Sequence, residues 1–504
     1  MTDKLESLNP ATGDVVGVHV IDDAASVDAA VARARQAVGW WSGLGFDGRK
    51  EILGQWRGVL TRRMGQLADV VHQETGKPHG DALLEIGLTI EHLAWAASHA
   101  EKVLGRRRMP SGVLLANQAA SLQYLPLGVI GVIGPWNYPV FTPMGSIAYA
   151  LAAGNPVVFK PSELTPGVGV WLADSLAEVV PVEQHALFQC VIGYGDTGAA
   201  LCRADIDKLA FTGSTATGKK VMATCAENLT PVIIEAGGKD ALLVDADADI
   251  PAAADAAAWG AFANSGQTCI GVERVYVHER VYDAFLAELS AQARSVHSDV
   301  GAQIGPMTMA SQVGVVRSHI EDALAKGGRA VVGGLDAVGD RFIQPTVLVD
   351  VPEDSLAVTE ETFGPTVTVT RVRSMDEAVT LANAGRYALG STVFSQARGL
   401  ELAGRLRSGM TSVNAVISFA GIASLPFGGV GDSGFGRIHG ADGLKEFTYA
   451  KAIARQRMKP VMNLTSFGRT EKTETTFAAL VTALHGRATQ LPKRPRRLRR
   501  QRER

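Results

Sequence analysis

Cysteine is scarce in this chain: four residues in 504, namely Cys190, Cys202, Cys225 and Cys269, with no pair at CxxC spacing. That scarcity argues against a disulfide framework and a cysteine-rich zinc site, so no metal is expected, and it fits a reducing, cytoplasmic compartment. The first twenty residues lack a basic segment followed by an apolar one and carry Asp3, Glu6 and Asp14 instead, so no signal peptide is expected. A large excess of one charge is also missing, the formal net charge being −2. It is unevenly spread: residues 493–504 hold eight basic side chains against one acid, which leaves about −9 on the rest. A mildly acidic body gives no sign of nucleic-acid binding. From Met109 to Phe159 there is no charged residue at all. Pro126, Pro135, Asn137, Pro139, Pro143, Asn155 and Pro156 nevertheless break that run, so no stretch of about 20 residues remains to cross a membrane as a helix. There is no short-period repeat.

The chain is 46% hydrophobic with 55 glycines spread throughout, enough for large cores joined by many turns. Its length suggests about three domains. Leu8-Asn9-Pro10-Ala11-Thr12-Gly13-Asp14 reads as a turn between short strands. Apolar spacing predicts helices over 24–38, 48–75 and 80–103, with His92, Trp95 and His99 on the third as packing and surface residues. Val129–Ile133 and Val157–Phe159 are the short continuous apolar runs of parallel strands covered on both faces. A strand of a projecting hairpin is expected over 121–127. Strand signals at 186–192, 206–211 and 231–235 then alternate with a helix at 218–225, and a second such run begins near Ala241 and continues past Ala420. This alternation predicts an α/β fold with doubly wound sheets.

Cys269 follows the small, polar turn Asn264-Ser265-Gly266-Gln267-Thr268 and precedes a strand-like run, Val272 to Val277. A thiol at such a junction can present its sulfur to a cleft with backbone N–H groups nearby, as a covalent nucleophile requires; a buried, inert cysteine is the alternative. Glu235, in Glu235-Ala236-Gly237-Gly238-Lys239, ends an apolar strand, where partial burial would raise its pKa toward that of a general base. Asn137, held between Pro135 and Pro139, is either a preorganised oxyanion donor or part of a rigid turn. Phe211-Thr212-Gly213-Ser214-Thr215-Ala216-Thr217-Gly218, between a strand and a helix, suits a pyrophosphate at a helix N-terminus or is a plain turn. Lys160 and Glu163 follow a strand and can hold ribose hydroxyls, or form a surface pair. Glu360-Glu361-Thr362-Phe363-Gly364-Pro365 is a ribose and nicotinamide contact or an ordinary acidic turn.

In this order, from about Leu8 to about Thr448, these motifs resemble the aldehyde dehydrogenase superfamily: NPATG, PWN, KPSE, FTGST, EAGGK, GQTC, EETFGP and PFGG through SGFG. The resemblance implies two doubly wound parallel-sheet domains, for cofactor (1–112 and 128–237) and catalysis (238–446). A small β oligomerisation element (113–127 and 447–465) would pair with a neighbouring chain in a homodimer or homotetramer. It also implies that Cys269 attacks an aldehyde carbonyl, that Asn137 and the Cys269 N–H hold the oxyanion, and that Glu235 activates the water resolving the thioester. Cofactor contacts would fall on Ile133, Trp136, Lys160, Glu163, Gly213, Ser214, Gly218, Glu361 and Phe363. Glu163 favours NAD, with NADP also open. Likeness to the class-3, fatty-aldehyde and coniferyl-aldehyde branches implies a medium- or long-chain aliphatic, or aromatic, aldehyde. A succinic-semialdehyde-type or CoA-acylating enzyme and a catalytically silent scaffold are the alternatives. Two positions depart from the family pattern: Ala236 stands where leucine is usual, and Ile438-His439 follow Gly436-Arg437 where some members carry a glutamate.

Residues 466–504 run beyond the usual family end. Phe477, Leu480, Val481 and Leu484 predict an amphipathic helix over 473–488, and the basic run follows it. Either the segment is a solvated extension, or it holds the enzyme peripherally on an anionic membrane surface.

Overall fold

β-Branched runs too short and too uniformly apolar for amphipathic strands become the centres of two sheets in the computed structural model, which describes residues 3–486. The first sheet has six strands in the order Phe188–Cys190, Val157–Lys160, Ile130–Ile133, Lys208–Thr212, Val232–Glu235 and Gly434–Phe435. All pair in parallel except the last. The chain enters at Ile130–Ile133, winds to one edge and returns on the other side at Lys208–Thr212. Strand order therefore reverses between these two, and the crevice beyond their carboxyl ends is where a doubly wound sheet takes its ligand. The second sheet has seven strands: Arg329–Val332, Thr346–Val349, Thr366–Val372, Val272–His278, Asp240–Val244, Ser391–Phe394 and Ser412–Val413. Only the first of these is antiparallel to its neighbour.

Both sheets belong to one compact unit, Met1–Gly105 with Tyr124–Ala450. The strand Gly434–Phe435 comes from the range expected for the catalytic domain yet completes the first sheet, with Gly434 opposite Glu235. A second unit takes in Arg106–Gln123 and the described residues from Lys451. Most of a three-stranded sheet of Thr448–Gln456, Gln118–Pro126 and Arg107–Met109 falls in it. The hairpin expected from 113 starts earlier, because Arg107–Met109 pairs antiparallel with residues 120–122.

Helix positions follow local signals closely. Ala24–Gly43 begins where the Asp23 carboxylate accepts the Ser26 N–H at 2.8 Å. The helix expected over 48–75 is two, Gly45–Arg62 and Met64–Thr75, broken at Arg63 (φ −111°) although the apolar period runs on. The third is His79–Leu104. His92 is a packing residue: its Nε2 donates to the Ala420 carbonyl at 2.9 Å, and burial lowers its pKa to about 4. The strand expected over 186–192 is confined to Phe188–Cys190, because Pro181 starts a 3-10 turn over Val182–Leu187. Two antiparallel strands, Lys4–Leu8 and Val15–Val20, flank the Asn9–Gly13 turn.

The C-terminal helix is Glu471–His485, with no buried side chain. The expected end of that helix and the basic run 493–504 lie outside the described residues. Among the described residues, no helix is long and apolar enough to cross a membrane.

Candidate active site

The turn before Cys269 is held in an unusual backbone state. Asn264 (φ 51°, ψ 33°), Ser265 (φ 57°, ψ 32°) and Gly266 (φ 70°) are all left-handed, and all three are buried. Two non-glycine residues in that region cost about 1–3 kcal/mol each, so the surroundings must impose them. The Asn264 amide donates to the carbonyls of Asn137 (3.1 Å) and Gln267 (3.2 Å). Ser265 Oγ donates to the Gly305 carbonyl at 2.6 Å, and Gln267 Oε1 accepts the Thr308 N–H at 2.9 Å. Only glycine fits at 266, since a Cβ there would strike the Gly364 carbonyl. The result is a rigid platform ending at Cys269.

Cys269 Sγ lies 3.6 Å from Glu235 Oε1, with the S–H donating. Burial first, then the Glu235 carboxylate, pushes the thiol pKa well above its ordinary value. Burial also pushes Glu235 up to about 7, against the hydrogen bonds from Cys269 and from Thr212 Oγ1 (3.3 Å). Both shifts favour the proton-bearing thiol, with a carboxyl beside it whose pKa suits proton exchange near neutrality.

The Asn137 amide has two N–H bonds, of which one goes to the Gln267 carbonyl at 2.9 Å. That bond orients the amide and leaves the second N–H for a ligand. Two buried ion pairs support the loops on either side. Lys77 pairs with Glu85, both fully buried, and Glu85 Oε1 accepts the N–H groups of Val140 (2.8 Å) and Phe141 (3.0 Å), just past Asn137. The Lys77 ammonium also lies 3.9 Å from the Tyr138 ring centroid. Lys239 pairs with Glu273, which accepts from the N–H groups of Thr362 (2.9 Å) and Phe363 (3.1 Å). Neither pair was expected from the sequence, where a lysine gives no sign of its burial. Lys77→Met would leave the buried Glu85 without its cation, and should destabilise the protein by about 3–5 kcal/mol in chemical or thermal unfolding.

A cavity of about 510 Å³ opens at the carboxyl ends of the reversal-point strands. Ile133, Trp136, Lys160, Glu163, Gly213 and Ser214 line it, with Thr217 of the same turn and with Gly195, Gly198, Cys202 and Lys220, which sequence reasoning missed. Gly218 does not line it. The helix expected from Gly218 begins at Thr215, capped by Ser214 Oγ accepting the Thr217 N–H at 3.2 Å. Gly218 falls in its first turn, where a Cβ would press on Ile234 at 3.1 Å, so it serves close helix–strand packing. An adjoining cavity of about 310 Å³ contains Trp136, Gly213, Ser214, Glu361 and Phe363, and also Asn137 and Cys269. Trp136 and Phe363 meet edge to face at 5.5 Å. Glu361 Oε1 accepts the Gly238 N–H at 2.9 Å, and burial, then Glu273, raises its pKa to about 8. A helix N-terminus with glycines, a lysine–carboxylate pair and a long double cavity fit a dinucleotide.

The chain matches the aldehyde dehydrogenase family over residues 1–453. It is 37% identical over 475 residues to the 4,4'-diapolycopene aldehyde oxidase of Methylomonas sp, covering 93% of this chain and 87% of that protein. The chain belongs to the aldehyde dehydrogenase family. It is also 34% identical over 458 residues to glutarate-semialdehyde dehydrogenase of Pseudomonas aeruginosa, covering 88% and 92% of the two. Among solved structures it resembles PnpE of Pseudomonas sp. WBC-3 in complex with nicotinamide adenine dinucleotide. That likeness has a TM-score of 0.85 at 34% identity, covering 91% and 96% of the two chains.

In this aldehyde dehydrogenase, Cys269 also lines a third cavity, of about 90 Å³. Its walls are Leu84, Leu88, Tyr138, Phe141, Trp259, Ile270, Ile417 and Phe427, with Asp81 and Glu85 as the acids. Residues 81, 84, 85 and 88 share one helix face, but that spacing also describes a core-facing helix, so the sequence does not reveal a pocket wall. Of the two departures from the family pattern, Ala236 is buried and donates its N–H to the Ser433 carbonyl at 3.1 Å. His439 is buried at φ 62° with neither ring nitrogen hydrogen-bonded among the described residues, and burial holds its pKa well below normal.

Proposed function

We propose that this protein oxidises an apolar aldehyde to a carboxylic acid through covalent chemistry on Cys269, with NAD as the oxidant. The observation that supports this best is that Cys269, beside Glu235, lines both the smaller part of the double cavity and the apolar cavity. Glu235 takes the Sγ proton, and the thiolate forms a C–S bond to the carbonyl carbon. The free Asn137 N–H and the Cys269 backbone N–H hold the oxyanion. Lys160, Glu163 and Ser214 in the larger cavity, with Glu361 and Phe363 in the adjoining one, would hold the nicotinamide cofactor, which would supply the acceptor for the hydride that leaves the carbon bonded to Cys269 as the oxyanion collapses to the thioester. Glu235 then takes a proton from the water that attacks the resulting thioester, which frees the acid and the Cys269 sulfur. Asn137→Ala should lower kcat about 10²–10³-fold, measured as initial NADH production, with a smaller effect on NAD affinity.

The apolar cavity supports medium- or long-chain aliphatic or aromatic aldehydes. The CoA-acylating alternative is disfavoured by Glu235, which provides water as the resolving nucleophile. Glu163 would repel a ribose 2′-phosphate and favours NAD, while Lys220 in the same cavity leaves room for NADP. The exposed edge strand Thr448–Gln456 supports self-association as a dimer or tetramer, which sedimentation equilibrium would test. The test of function is NADH production with NAD⁺ and a panel of acetaldehyde, hexanal, decanal, benzaldehyde and succinic semialdehyde. Turnover of the apolar members is expected; no turnover with either cofactor, with or without CoA, would remove the proposal.

A further inference from the structure

The apolar cavity at Cys269 contains no lysine, arginine or histidine in its lining, but it contains two acids. Glu85 is fully engaged, by Lys77 and by the N–H groups of Val140 and Phe141. Asp81 is different. It is half-buried in the first turn of His79–Leu104, on the same helix face as Leu84 and Leu88. Its carboxylate has no hydrogen bond or ion pair among the described residues. We propose that Asp81 is a specificity-determining residue: an unpaired carboxylate in the wall of an apolar pocket, it rejects aldehydes with a carboxylate at the far end and leaves neutral apolar aldehydes as the substrate class.

This rests on the reading of Cys269 as the nucleophile and of the apolar cavity as the aldehyde's route to it. A short semialdehyde with its carbonyl at Cys269 must place its own carboxylate against these walls. There it loses water, and the Lys77 ammonium on the Tyr138 ring of the wall is already held by Glu85. Repulsion from Asp81 adds a discrimination of more than about tenfold at separations of roughly 10 Å or less, for an effective dielectric constant of about 20. A relative named for glutarate semialdehyde therefore does not lend its substrate to this chain. The competing role for Asp81 is stabilisation of the helix N-terminus, where acids are favoured. That role would move stability and leave substrate preference alone.

The test compares kcat/KM for hexanal and succinic semialdehyde in the full-length wild type, Asp81→Asn and Asp81→Arg. The wild type should favour hexanal by about 100-fold or more. The isosteric Asp81→Asn should cut that ratio about tenfold, through a rise for the semialdehyde, and Asp81→Arg should cut it further. In the wild type the ratio should also shrink as salt rises from roughly 20 to 500 mM, because ions screen the repulsion. A wild type that favours succinic semialdehyde, or a ratio unmoved by Asp81→Asn, overturns the assignment while leaving Cys269-dependent oxidation of hexanal in place. Failure of the wild type to oxidise any aldehyde overturns the underlying function as well.

Discussion

Cys269→Ala should abolish aldehyde oxidation, by at least about 10⁴-fold in kcat, while NAD still binds. The asymmetry follows from where the sulfur sits. Cys269 lies at the end of the left-handed turn that Asn264, Ser265 and Gln267 hold through their own hydrogen bonds, none of which uses the thiol. Removing one sulfur leaves that platform and the larger dinucleotide cavity intact, and removes the atom to which the substrate carbon must bond. NADH production and calorimetric titration with NAD⁺ separate the two effects. Loss of both together would indicate a fold defect, and retained turnover would exclude the covalent route.

Glu235→Gln should have the second largest effect, and a more informative one. The amide cannot accept a proton, so both the activation of the thiol and that of the hydrolytic water suffer, lowering kcat about 10²–10⁴-fold. Enzyme that does react should stop at the thioester, so that NADH appears as a slow burst of at most one equivalent, with the acyl group trapped on Cys269 for mass spectrometry. The wild-type pH profile carries the same information. A base with its pKa pushed up to about 7 is protonated below that value, so kcat should rise with pH through about 7 and level off above it. In Glu235→Gln that step should disappear. A profile that keeps it would transfer the base role to another group.

The parts of this protein that could be read from its sequence are those set by local chemistry. Val129–Ile133 and Val157–Phe159 announce buried parallel strands because nothing polar interrupts them. The turns that bring Cys269 beside Glu235 and fix the Asn137 amide were legible because each is embedded in glycine or proline punctuation that no ordinary core segment needs. What was not legible depends on partners far away in the chain. The break at Arg63 is hidden because both flanking helices keep the same apolar period. The capping by Ser214 moves the start of its helix and turns Gly218 from a cavity residue into a packing one. The Lys77–Glu85 and Lys239–Glu273 pairs, which support the Asn137 and Phe363 loops, involve residue types whose burial is exceptional. Asp81 and Leu88 look like any amphipathic helix face until the opposite wall is known.

The pairing of Gly434–Phe435 with the strand that ends in Glu235 has a consequence for biosynthesis. At roughly 5–20 residues per second, a ribosome needs about 10–40 s to advance the 200 residues from one strand to the other. During that interval the nascent chain carries Val232–Glu235 as an uncovered sheet edge, with apolar side chains and free backbone groups open to a wrong strand. A chain stopped short of Gly434 would emerge with Glu235 on an unfinished edge.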